Sequence, residues 1–164
     1  MSYLIVYYTR TGNTEKVAEK IAEKFDAELE KIIDKKKRTG IIGWIRSGYD
    51  AIKGKLTEIE PIKKDPDDYD LILLGTPVWA GRSTPAIKTY IANNKDKFEN
   101  IAIFTSSGGD GFQDALEEVK KAAGQEPIAM DGFLEKNIEK GIIDPQIDEF
   151  TRIIRDKIPQ KKES

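Results

Sequence analysis

The chain has 164 residues, a formal net charge of −2 and 34% charged residues, and it contains neither cysteine nor histidine. These absences exclude a thiol nucleophile, a disulfide framework, covalently attached haem and a histidine-ligated metal, so any chemistry must come from other side chains or a bound cofactor. The length predicts one domain, which we place at residues 1–158, followed by a frayed tail at residues 159–164.

The chain begins with a predicted strand and a polar loop. An apolar run at residues 3–8 (YLIVYY) ends in the first loop, residues 9–14 (TRTGNT), and helical spacing of apolar residues starts at Val17. The first N–H groups of a helix have no intrahelical partner, and the helix dipole favours negative charge there. The loop has neither the lysine of a Walker loop nor the glycine triplet of a dinucleotide fingerprint. We therefore expect hydroxyls and amides to hold a single phosphate, with an ordinary side-chain-capped helix as the alternative.

The next segment combines basic and apolar residues. Residues 26–33 alternate in part and predict a second strand at or near a sheet edge. The basic run at 35–38 (KKKR) is typical of a solvated turn, and a docking or anionic-ligand patch is the alternative. Residues 39–56 place Ile41, Ile45, Tyr49 and Ile52 at helical spacing among several glycines, each of which weakens a helix by about 1 kcal/mol. We expect a short helix with irregular ends, either packed on the sheet or forming a flap with Trp44 as its cover.

Three further strand–helix units follow a polar connection at residues 58–70. Residues 71–74 (LILL) form an apolar run without alternation, as in a parallel strand covered on both faces. The second loop, residues 75–85, precedes a helix predicted at 86–94. A strand at 101–104 leads through the third loop, residues 105–111, to an amphipathic helix at 112–123. A last strand is predicted at 127–133, and apolar residues between 147 and 158 mark a final helix.

Five β–α units predict an α/β fold: a doubly wound, five-stranded parallel sheet with helices on both faces. Ligands in such sheets bind beyond the carboxyl ends of the strands, where the strand order reverses. If the order is 2-1-3-4-5, strands one, three and four are adjacent. The three polar loops then converge on one crevice.

The first loop resembles a loop found in a known protein family. Thr9-x-Thr11-Gly12-Asn13-Thr14 after a first strand is similar to the phosphate loop of the flavodoxins, which bind flavin mononucleotide (FMN). The second loop (GTPVWAG) is similar to the loop beside the flavin ring, and the third matches by position and glycine content. The element order over nearly the whole chain resembles a short-chain member. The resemblance implies FMN as cofactor and these binding residues: Thr9, Arg10, Thr11, Gly12, Asn13, Thr14, Thr76, Pro77, Val78, Trp79, Ala80, Gly81, Ser106, Ser107, Gly108, Gly109 and Asp110.

The resemblance also implies roles. The first loop would hold the phosphate through its side chains and the amides of Arg10 and Gly12, with the Arg10 side chain facing water. Trp79 would lie against the isoalloxazine ring, or else be a core residue below the loop. Gly81 would permit a peptide flip near flavin N5, or serve only a turn. The amides of residues 106–109 would bind the pyrimidine edge of the ring, and Asp110 would place negative charge there or cap the following helix.

The main functional hypothesis is an FMN-binding electron carrier that cycles through semiquinone and hydroquinone states, with no catalytic residue and no metal. The alternatives are an FMN-dependent NAD(P)H:quinone-type reductase and a flavin-free binding or signalling module on the same fold. Two departures from the family count against a simple carrier. The third loop has no tyrosine for the outer ring face, which leaves that face open or covered by Trp44, and the chain is close to neutral where short-chain flavodoxins are often acidic.

The expected partners follow from charge and hydropathy. The charge is mixed, and no apolar run approaches the roughly 20 residues that span a bilayer. We expect redox partner proteins, no nucleic acid, no membrane insertion, a monomer or weak dimer, and a cytoplasmic location.

Overall fold

The computed structural model describes residues 1–36 and 40–161, and its centre is one parallel sheet. All neighbouring strands are parallel, and their order is β2-β1-β3-β4-β5, as the sequence predicts. The second strand lies at an edge, also as predicted. The strands are β1 (Tyr3–Tyr7), β2 (Glu28–Lys31), β3 (Leu71–Pro77), β4 (Ile101–Ser107) and β5 (Met130–Leu134).

Helices cover both faces of the sheet. Two short 3₁₀ helices, Pro66–Asp68 and Lys95–Lys97, lie in the connections before β3 and β4. Within the described residues, no helix is long and apolar enough to cross a bilayer. The helices are α1 (Asn13–Phe25), α2 (Gly40–Ile52), α3 (Pro85–Asn94), α4 (Gln113–Ala123), α5 (Glu135–Glu139) and α6 (Asp144–Lys157).

The core has two halves because successive side chains of a strand point to opposite faces of the sheet. In β3, Ile72 and Leu74 pack in the half that contains α3 and α4. Leu71 and Leu73 pack in the other half, which α1 and α6 cover. Both faces of the central strands are therefore apolar, which explains why residues 71–74 show no alternation.

A helix is present where the sequence predicts one, and its orientation is unusual. Helix α2 runs for 13 residues without interruption. Only Gly43, Ser47, Asp50 and Ala51 are buried, while the large apolar side chains of α2 are exposed. The glycines therefore do not break the helix: Gly43 gives it a flat inner face.

Two other predictions fall partly on residues outside the described ranges. In the basic run, Lys35 pairs with Glu58 at 3.0 Å and Lys36 approaches Asp50 at 3.6 Å, whereas residues 37 and 38 are not described. In the tail, Lys161 pairs with Asp70, and residues 162–164 are not described. The frayed tail from residue 159 therefore stays a prediction.

Candidate functional site

In the structure the first loop comprises residues 8–12. It places the N-terminus of α1 at the edge of the sheet formed by the carboxyl ends of the strands. Gly12 precedes the helix with a φ of 96°, and no side chain among the described residues caps α1. The alternative of an ordinary side-chain-capped helix is therefore wrong. Thr9 Oγ1 instead accepts a hydrogen bond from Gly12 N at 3.0 Å, which tightens the loop. The N–H groups of the first turn of α1 are left for another acceptor.

A small polar cavity of about 190 Å³ lies at this helix N-terminus. It brings together the first loop, the end of β3 and helix α5. Such a position combines free amides with the positive end of the helix dipole, so it favours an anionic group. The residues that line it are Thr9, Arg10, Thr11, Asn13, Thr14, Pro77, Val78, Trp79, Glu135 and Glu139.

The second loop, residues 78–84, contains a tight turn. Trp79 N donates to Arg82 O at 2.8 Å and Arg82 N donates to Trp79 O at 2.9 Å. Between them, Ala80 has a φ of 50° and Gly81 a φ of 77°. Positive φ at both central positions defines a type I′ turn, in which glycine is favoured and alanine is uncommon. Gly81 thus serves a turn, which was one of the two roles expected from the sequence.

Glu118, a residue of α4, binds this turn through its carboxylate. Its carboxylate accepts hydrogen bonds from Arg82 Nη1, from Ser83 N at 3.1 Å and from Ser83 Oγ at 3.0 Å, and Lys88 Nζ lies 3.3 Å away. Burial alone would raise the pKa of Glu118. The hydrogen bonds from Arg82 and Ser83, together with the Lys88 charge, outweigh burial and hold that pKa below its usual range. The ionised carboxylate therefore fixes the loop to α4.

The three loops are joined to one another at the edge of the sheet. Thr14 Oγ1 and Ser106 Oγ share a hydrogen bond of 2.7 Å, and both side chains are buried. Val78 N donates to Ser106 O at 3.0 Å, and Tyr8 N donates to Gly75 O at 3.1 Å. These bonds span the ends of β1, β3 and β4, so the predicted convergence of the loops is confirmed.

A larger, mostly apolar cleft of about 560 Å³ opens beside the small cavity. The outer face of α2 forms one wall, and the second loop forms the opposite wall. A shallower depression of about 870 Å³ runs along α4, but charged side chains dominate its lining. The cleft residues are Arg10, Trp44, Ile45, Gly48, Tyr49, Ile52, Val78, Trp79, Ala80, Gly108 and Glu135.

The small cavity and the cleft are neighbours that share a wall. Arg10, Val78, Trp79 and Glu135 line both. The guanidinium carbon of Arg10 lies 4.7 Å from the centroid of the Trp79 ring, so the Arg10 side chain lies in the site and does not simply face water. Its Nη1 atom is buried and has no hydrogen-bond partner among the described residues. A buried charged donor in this state favours an acceptor supplied from outside the chain.

The predicted site residues divide into those that line the site and those that support it. Thr76 is fully buried and its Oγ1 lies 3.0 Å from Thr84 Oγ1, so it ties β3 to α3. Ser107 Oγ donates to Gly109 O at 2.7 Å inside the third loop. Asp110 is exposed and lies outside both cavity linings, and helix α4 begins after Phe112, so Asp110 does not cap it. In the third loop, only Gly108 lines the cleft.

Sequence reasoning missed the contribution of α5. Its Glu135 lines both cavities and its Glu139 lines the small one. Five residues are too few to show helical periodicity, so the sequence pattern gives no indication of this helix. The position immediately after β5 was the available clue, because that is another carboxyl end at the same edge of the sheet.

The fold and the site together define a flavodoxin-like protein. A family model described as flavodoxin matches residues 2–144. The chain belongs to the flavodoxin family. No curated protein matches it at a significant level.

Solved structures agree with this assignment. A flavoprotein from Lactobacillus acidophilus NCFM, crystallised in complex with FMN, is 27% identical with a TM-score of 0.73 over 92% of this chain and 98% of that one. The apo-form of the flavoprotein from the same organism, solved by NMR, is 27% identical with a TM-score of 0.64 over 85% and 95%. Two-electron reduced flavodoxin from Megasphaera elsdenii is 18% identical with a TM-score of 0.56 over 94% and 98%, a likeness that concerns the fold alone.

Proposed function

We propose that this protein binds FMN at the three-loop edge of the sheet and acts as an electron carrier. The observation that carries the proposal is the continuity of the two cavities. A polar cavity at an uncapped helix N-terminus shares a wall with an apolar cleft beside an aromatic ring. FMN has the same division, with a phosphate at one end and a planar ring at the other. The similar flavoprotein crystallised with FMN supports this assignment.

The residues present fit a phosphate. Thr9, Thr11 and Asn13 supply polar side chains around the small cavity, and the first turn of α1 supplies N–H groups. Arg10 adds a buried Nη1 donor without a partner among the described residues. A charged donor and helix amides are the groups that bind phosphate in proteins. Glu135 and Glu139 are the exceptions, because their carboxylates carry the same sign of charge as a phosphate; Glu135, which also lines the cleft, can accept hydrogen bonds from the hydroxyls of the ribityl chain.

The residues present also fit a flavin ring. Trp79 is only 6% exposed and lines the cleft, so it can offer an aromatic surface without leaving the core. Val78, Ala80 and Gly108 bring backbone close to the same space. Bound FMN would supply the one- and two-electron redox chemistry. The role of the chain is then to hold the phosphate, orient the ring and exclude water.

The test is to combine the purified protein with FMN and follow it spectroscopically. We expect stoichiometric uptake of FMN, and photoreduction should accumulate a one-electron-reduced flavin with absorption at long wavelength. Failure to bind added FMN would refute the site. Direct two-electron bleaching by NAD(P)H would refute the carrier and identify a reductase.

A further inference from the structure

We propose that the outer face of α2 docks on the surface of an anionic lipid bilayer. This surface, called the α2 face below, is the set of large exposed apolar side chains on the outer side of the helix. It consists of Ile41, Ile42, Trp44, Ile45, Tyr49 and Ile52, of which the last four also line the cleft.

The α2 face is exposed because α2 packs with its apolar side outwards, whereas an ordinary surface helix packs its apolar side against the core. Its inward residues are small or polar, and its outward residues are large and apolar. Ile41 is 81% exposed and Ile42 is 84% exposed. Exposed apolar patches of this kind on soluble domains mark interaction sites, since apolar area left in water costs about 25 cal/mol per Å².

The segment of the sequence that contains α2 is strongly basic. Residues 35–56 contain seven Lys or Arg and one Asp, a formal charge of +6, and since the chain carries −2 the other residues carry −8. The single acidic residue of this segment, Asp50, is buried on the inner side of α2, where Lys36 and Lys55 approach its carboxylate. At 100° per residue, Arg46 and Lys53 lie at the border of the apolar arc. Apolar side chains bordered by Lys and Arg are the arrangement of helices that lie in a bilayer interface.

The charge also favours a bilayer over a second copy of the chain. A two-fold dimer through the α2 face would bring the same surface of both copies together and place two segments of +6 side by side. An anionic lipid surface instead offers complementary charge around an apolar layer. Trp44 and Tyr49 have the amphipathic rings that suit the level of the lipid headgroups. Docking in this way would also turn the mouth of the cleft towards the membrane, because α2 forms one wall of that cleft.

The test is co-sedimentation of the full chain with vesicles. One set contains equal amounts of phosphatidylglycerol and phosphatidylcholine, and the other contains phosphatidylcholine alone. We expect binding to the anionic vesicles, and it should weaken when salt is raised to about 1 M, where the Debye length is about 3 Å. The double variant Ile41→Ser/Ile42→Ser should lose affinity by about tenfold or more. The double variant Arg46→Gln/Lys53→Gln should lose about fivefold per charge on anionic vesicles only.

The matched control is Ile142→Ser, which removes an exposed isoleucine from a different surface and should bind vesicles like the original chain. Ile41 and Ile42 lie outside the cleft lining, so FMN titration and thermal unfolding verify that the variants remain folded. The proposal is overturned if the original chain does not sediment with anionic vesicles, or if Ile41→Ser/Ile42→Ser sediments equally well. It is also overturned if light scattering finds a dimer that this variant converts to a monomer, since the α2 face is then a contact between copies.

Discussion

The guanidinium of Arg10 lies over the indole ring of Trp79, with 4.7 Å between the guanidinium carbon and the ring centroid. Trp79 in turn meets Tyr8 edge to face, at 5.5 Å between ring centroids. These contacts join the first loop to the second through side chains, in addition to the backbone bonds.

The first prediction concerns the charge of Arg10. Arg10→Met keeps a long apolar side chain against Trp79 but removes the buried donor. We expect FMN affinity to fall at least about tenfold, because a hydrogen bond to a charged group contributes about 1.5–3 kcal/mol and each 1.4 kcal/mol is about tenfold in affinity. Fluorescence titration with FMN and with riboflavin, which lacks the phosphate, measures the effect. The control is Lys16→Met, which removes an exposed positive charge from α1.

The comparison of the two ligands decides how Arg10 acts. Riboflavin affinity should change less than about twofold, since the lost interaction is with the phosphate. Equal losses for FMN and riboflavin would contradict this and would mean that Arg10 acts only by packing on Trp79.

The second prediction concerns the different contributions of Trp79 and Trp44 to stability and to FMN binding. Trp79 is buried and lines both cavities, whereas Trp44 is 65% exposed and lines only the cleft. Trp79→Leu should lower the free energy of unfolding by about 2–3 kcal/mol and weaken FMN binding by more than about tenfold. Trp44→Leu should change stability by less than about 0.5 kcal/mol. Urea unfolding measures the stability of both variants, and FMN titration measures their affinity for FMN. An equal loss of FMN affinity in the two variants would show that α2 covers the flavin ring.

The sequence was sufficient to predict the sheet and the convergence of the three loops at one edge of it. An apolar run without alternation at residues 71–74 can be stable only between two layers, and that requirement led to a central parallel strand. From the strand order, the convergence of the three loops followed by geometry. The composition of the first loop also limited its possible functions. A glycine and several hydroxyls at the start of a helix suit few roles other than binding an anion or capping the helix.

The orientation of α2 could not be predicted in the same way. Its apolar residues recur at helical spacing, and the usual inference places such a stripe on the core. In the structure Gly43 and Ala51 pack inward and Ile45 and Tyr49 point outward. Periodicity identifies a stripe but does not state what covers it. The Arg10–Trp79 contact escaped prediction for a related reason, because it joins side chains of two different loops and periodicity does not indicate where loop side chains point.

The third prediction concerns Glu118 and pH. Glu118→Gln keeps the size of the side chain but removes the charge that Arg82 and Lys88 face, and we expect a loss of about 1–2 kcal/mol near neutral pH. Because the pKa of Glu118 is lowered in the folded state, the unfolded state binds more protons as the pH falls. The contribution is therefore present above the ordinary pKa of Glu, about 4.3, and is lost below it. The stability difference between original and variant should shrink as the pH falls towards 3.

Urea unfolding at several pH values measures this difference. Glu117→Gln is the control, since Glu117 is the exposed neighbour of Glu118 on the same helix. It should change stability by less than about 0.5 kcal/mol. A difference for Glu118→Gln that stays constant from neutral pH to pH 3 would show that the carboxylate charge does not hold the second loop.

The fourth prediction concerns the turn at Gly81. A Cβ at this position would meet no atom within 4 Å, so Gly81→Ala has room for the methyl group. Its φ of 77° nevertheless lies in the left-handed region, where an L-residue other than glycine is less stable by about 1–2 kcal/mol. Gly109→Ala is the matched control in the third loop, because that site is equally open and has no positive φ. We expect urea unfolding to show a loss of about 1–2 kcal/mol for Gly81→Ala and almost none for Gly109→Ala. Equal values for the two variants would mean that the turn relaxes to another conformation, and the position of Trp79 would then not depend on Gly81.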